Sequence, residues 1–80
     1  MMLGTVTAAV WATRKSPGLT GQTLLVVRLD GGEAVAADRV GAGVGDRVLV
    51  AFGGAARLDC PEAPADAAIV AILDPREEPL

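Results

Sequence analysis

Apolar positions fall into short runs set apart by glycine, proline and charge. Residues 2–12 are rich in Val, Thr, Leu and Trp and end where Arg14, Lys15, Ser16, Pro17 and Gly18 cluster, which predicts a strand and then a turn-like loop. Residues 23–30 predict a second strand, closed by the hairpin signal Asp30, Gly31, Gly32, and residues 33–37 predict the returning strand. A loop punctuated by Gly41, Gly43 and Gly45 spans 38–46, because glycine permits positive φ. Residues 47–52 predict a fourth strand, followed by Gly53, Gly54, a helical turn over 55–59 and a loop over 60–64.

In residues 66–73 the alanines favour helix, whereas Ile69, Val70 and Ile72 favour strand. The short length decides for a strand. Residues 75–80 carry two prolines and three charges and are expected to fray, which leaves residues 1–74 as one domain.

Five short strands with glycine-rich connections predict an all-β fold, a small five-stranded OB-like barrel with one short helical turn. In a lone barrel each strand should alternate between an apolar inner and a polar outer face. The last strand departs from this, with Ala67, Ile69, Ala71 and Leu73 on one face and Ala68, Val70 and Ile72 on the other. Residues 48–52 are apolar at every position as well. One barrel has one interior, so the second burial surface is expected from identical subunits. The competing expectation is that loops of the same chain cover the alanines.

Composition sharpens this picture. Eighty residues are enough for one small core, which usually needs a disulfide, a metal or partner subunits for support. With one cysteine and no histidine, neither an internal disulfide nor the usual zinc ligand sets can form, and partners remain. Aromatic residues are 2% of the chain, so Val, Ala, Leu and Ile must supply the packing. A net charge of −3 opposes binding to nucleic acid or anionic lipid. No export signal or membrane-spanning run is expected, and the protein is read as cytoplasmic.

Three blocks of residues resemble one family. Near the start these are Gly4, Val6, Trp11, Ala12, Thr13, Lys15, Leu19, Thr20, Gly21 and Leu24. In the middle they are Asp38, Val40, Gly41, Ala42, Gly43, Gly45, Val48, Leu49, Val50, Gly53, Ala55, Ala56 and Arg57. At the end they run from Asp66 through Ile72, with Asp74. Together they resemble the EutN/CcmL family of bacterial microcompartment vertex proteins. The hairpin at residues 30–38 is shorter than is common there, and Gly54 and Ala55 stand where serine is frequent.

The resemblance implies a homopentamer that caps the fivefold vertices of a polyhedral shell tiled by hexameric shell proteins, with no enzyme activity and no cofactor. It also implies that Gly41, Ala42, Gly43 and Gly45 approach the fivefold axis and border a central opening. Val48, Val50, Arg57, Ile69, Val70 and Ile72 are the subunit-interface candidates. A bulky β-branched residue at Gly43 is expected to disturb the ring.

Other motifs carry less. The glycine loop fits neither the dinucleotide fingerprint nor a P-loop, since no Lys-Ser or Lys-Thr pair follows. Cys60 has no histidine to act as its base. Asp59, Glu62 and Asp66 lack the ligand spacing of a calcium loop and read as a solvated acidic patch. Arg14 and Lys15 read as an ordinary charged loop or as a contact to acidic neighbours. The alternative function is a stand-alone barrel that binds a small ligand or single-stranded nucleic acid, which would require a basic groove with aromatic platforms.

Overall fold

Val, Leu, Ile and Ala predominate in all five strands, where their compact side chains pack on a pleated surface. The computed structural model describes residues 1–58 and 65–74. Its strands are β1 (Met2–Ala9), β2 (Leu24–Leu29), β3 (Gly32–Asp38), β4 (Arg47–Phe52) and β5 (Ala67–Ile72). Two 3₁₀ turns, Pro17–Leu19 and Gly53–Arg57, join them. The expected turn over 55–59 therefore begins two residues earlier, directly after β4. The expected loop over 60–64, Cys60, the patch members Asp59 and Glu62, and the 75–80 tail lie outside the described residues.

The strands close into a barrel in the order β1-β2-β3-β5-β4. All pairings are antiparallel except β3 with β5, a short parallel seam with Ala37 opposite Ala68 and Asp38 opposite Ile69. Arg39 extends the seam by donating its N–H to the Ile69 carbonyl at 3.2 Å. The pairing of β1 with β2 shifts register between Val6 and Ala8, and that of β4 with β5 shifts between Leu49 and Val50. Such bulges bend strands and let a small sheet close.

The interior holds Val6, Leu25, Val27, Ala36, Val48, Val50, Ala67 and Ile69, with Leu29, Ala42 and Phe52 packed against them. Residues directly opposed across a ladder share a face. Val6 opposes Val27, and Val50 opposes Ile69, so the core is stacked from cross-strand pairs. β1 ends at Ala9 rather than residue 12, since its last ladder bond runs from the Val10 N–H to the Leu24 carbonyl, 2.8 Å. Trp11 thereby leaves the sheet for solvent.

Three of the six predicted interface residues are corrected by this arrangement. Val48, Val50 and Ile69 are each 0% exposed inside their own barrel and have no surface left for a neighbour. Their strands alternate as in any barrel, and apolar sequence on both faces hid which face is inner.

Candidate assembly surfaces

The outer face of the barrel carries three aligned apolar rows. The first runs across β2, β3, β5 and β4 through Leu24, Ala37, Ala68 and Ala51. Its three alanines are buried although they alternate with the interior residues. The 3₁₀ turn Gly53–Arg57 packs against β4 and β5 and buries its own Ala56 there. Two bonds hold this roof down. Gly53 donates its N–H to the Asp66 carbonyl at 2.9 Å, and Arg57 donates from Nη1 to the Ala65 carbonyl at 3.4 Å. Half-buried Arg57 thus serves its own chain, and the three alanines are buried without a partner subunit.

The other two rows have no such cover. Leu3, Leu49 and Ala71 align across β1, β4 and β5, with Leu3 49% exposed. Ala8, Val26 and Val35 align across β1, β2 and β3, with Val35 51% exposed. Val70 is half-buried, and Ile72, at the end of β5, is exposed. Both therefore remain available at the surface, unlike the other three β4 and β5 candidates.

The glycine loop over 39–46 is a hydrogen-bonded construction. The Asp38 carboxylate accepts the N–H groups of Val40 and Gly41, both at 3.1 Å. Asp46 does the same for Gly43 at 2.8 Å, while its own N–H returns to the Gly43 carbonyl. Gly45 and Asp46 then clamp the loop to β1 through reciprocal bonds with Val6. Ala42 packs inward on the core, whereas Val44 points its side chain into solvent.

Positive φ falls at Gly41 and Gly45, at 78° and 95°, and not at Gly43. A Cβ at Gly43 would meet only the Asp46 carboxylate at 3.9 Å. Gly43 therefore needs no left-handed backbone, and any bar to a bulky residue there lies in the ring rather than in the single chain. Alanine at Gly41 or Gly45 should cost about 1 kcal/mol each, and alanine at Gly43 next to nothing, in thermal melts of the three variants.

The sequence reading overlooked several exposed apolar side chains. Trp11 is 91% exposed, and Leu3, Val35 and Val44 stand out beside it. For Trp11 the signal was its closeness to the Arg14–Gly18 cluster, which shortens the strand. Arg39 was overlooked too. Its Nη1 donates to the Gln22 side-chain carbonyl, while its Nε and Nη2 are buried with no partner among the described residues.

Among the described residues no group of three or more acidic or thiol side chains is placed to hold a metal ion. No helix is long and apolar enough to cross a membrane. What the surface offers is area for packing.

The profile of the family described as "Ethanolamine utilisation protein EutN/carboxysome" matches residues 1–74. The chain belongs to the EutN/CcmL family. It is 45% identical over 83 residues to the carboxysome shell vertex protein CcmL of Synechococcus elongatus, covering 92% of this chain and 84% of that one. To the microcompartment shell vertex protein PduN of Salmonella typhimurium it is 45% identical over 87 residues, covering 92% and 96%. Among solved structures, the GrpN pentameric microcompartment shell protein of Rhodospirillum rubrum superposes with a TM-score of 0.84 at 40% identity, covering 98% and 100%. The EutN/CcmL match spans all five strands, so the barrel, its seam and the glycine loop belong to the shared domain.

Proposed function

We propose that this chain is a structural subunit of a bacterial microcompartment shell, a homopentamer that caps fivefold vertices and meets hexameric shell proteins along its edges in the cytoplasm. The observation that carries the reading is the pair of uncovered apolar rows, Leu3–Leu49–Ala71 and Ala8–Val26–Val35, on different sectors of one barrel. Two unlike patches suit a head-to-tail contact, and such contacts close into rings when the rotation allows it. A flat sheet of hexagons does not close, and five-membered units supply the missing curvature. The role asks for no catalytic group.

Within the ring, Val70 lies beside the Leu49 row, Ile72 is exposed at the end of β5 on the face it shares with Val48, and the 39–46 loop faces the fivefold axis. There Gly41, Gly43 and Gly45 keep the loop narrow while Val44 borders the opening. The ligand-binding alternative needs stacking platforms. Phe52 packs against the core, which leaves Trp11 as a single exposed ring.

Native mass spectrometry tests the reading directly, with five copies expected at micromolar concentration. Leu49→Lys should give a folded monomer. Its half-buried outer position tolerates a long side chain, but a charge buried without a partner at each of five contacts costs several kcal/mol. A wild-type chain that stays monomeric at high concentration would overturn the proposal.

A further inference from the structure

Trp11 carries the largest side chain in the protein and is 91% exposed, with no described residue covering it. A hollow of about 200 Å³ is lined by Leu19, Leu24, Val35, Ala37, Ala67 and Asp66. The two features are complementary in each respect that matters. An indole is a flat apolar body with one N–H donor and no acceptor. The hollow is apolar with one carboxylate. Its volume is ample, since an apolar cavity of roughly 150 Å³ holds a benzene molecule.

Trp11 leaves the hollow of its own chain unfilled. It follows β1, and the hollow runs from Leu24 of β2, whose carbonyl accepts the Val10 N–H, across to Ala37 of β3 and Ala67 of β5. We propose that Trp11 of each copy inserts into this hollow of the next copy, with the indole N–H donating to the Asp66 carboxylate. This rests on the ring reading above and deepens it, because it names the anchor of the contact. Tryptophan is the residue type most enriched among interface anchors.

Trp11 is the protein's single tryptophan, so its emission reports the contact without a label. In wild-type pentamer the emission should be blue-shifted and shielded from acrylamide, and dilution to monomer should make it red-shifted and quenchable. Trp11→Ala should leave the melt of the dilute monomer unchanged, because the side chain touches little there, while weakening each subunit contact at least about 30-fold. Trp11→Phe, Asp66→Ala and the double variant complete the test, with native mass spectrometry as the readout. Loss of the N–H and loss of the carboxylate should be non-additive by several-fold.

A pentamer whose indole stays as quenchable as in the monomer would overturn the proposal while leaving the ring reading intact. Additive effects of Trp11→Phe and Asp66→Ala would remove the N–H to carboxylate contact. Shielded emission at every dilution would mean that Trp11 folds into the hollow of its own chain, and would overturn the contact between copies. Absence of any pentamer would instead sink the ring reading, and this anchor with it.

Discussion

Gly4→Ala should cost about 3 kcal/mol and lower the melting temperature by roughly 12–24 °C, as expected for a domain of this size. Gly4 lies buried in β1, opposite Leu29 of β2 and Val48 of β4. A Cβ at this position would stand 2.4 Å from Val27 Cγ1 and 2.9 Å from both the Arg28 carbonyl oxygen and Leu29 Cδ2. The Arg28 oxygen belongs to the backbone and cannot rotate away. Val27 is fully buried, so moving it displaces the rest of the interior. The net stability of a chain this short is on the order of 4–12 kcal/mol, and the substitution removes a large part of it. Circular dichroism melts of dilute wild-type and variant protein measure the shift. A melting temperature within a few degrees of wild type would show that β1 can move away from β2 without loss.

Much of this barrel could be read from residue order alone. β4 lies where residues 47–52 placed it, and the other four strands differ from expectation only at their ends. The hairpin after β2 turns at Gly31, which adopts a φ of 86°. Strand existence follows from local pattern and turn chemistry, which act within a few residues. The parallel β3–β5 seam was not legible, because it joins residues about thirty positions apart and depends on closure.

Burial shows the same division. Apolar residues on both faces of β4 and β5 indicated a second covering beyond the barrel interior. Ala51 and Ala68 are buried within the single chain, whose 3₁₀ turn packs on β4 and β5, whereas Leu49 and Ala71 stay half-buried among the described residues. Alternation tells which residues share a face and leaves open which face is inner, so Val48, Val50 and Ile69 were placed outside. Their small shapes fit either side. Bulges at Thr7 and in the β4–β5 ladder then shift the phase of alternation, and no residue in those strands announces them.

Ile69→Ala is expected to cost about 2–5 kcal/mol, the range for emptying a packed aliphatic site. Ile69 is the largest of the fully buried side chains, and the barrel has little with which to refill the space, since most of its neighbours are valine and alanine. The site also lies at the weakest joint of the sheet. Ile69 opposes Asp38 in the two-pair parallel seam, and its carbonyl accepts the Arg39 N–H. Loosening β5 there opens the barrel as well as leaving a cavity.

Ile72→Ala, at an exposed position three residues along the same strand, serves as the control and should change the dilute melt by less than about 1 kcal/mol. Because assembly stabilises the folded subunit by mass action, the Ile69→Ala loss should shrink as protein concentration rises. Melts across a hundredfold range of concentration separate the two effects. Equal losses for the two variants under dilute conditions would mean that the interior of this barrel is not centred on Ile69.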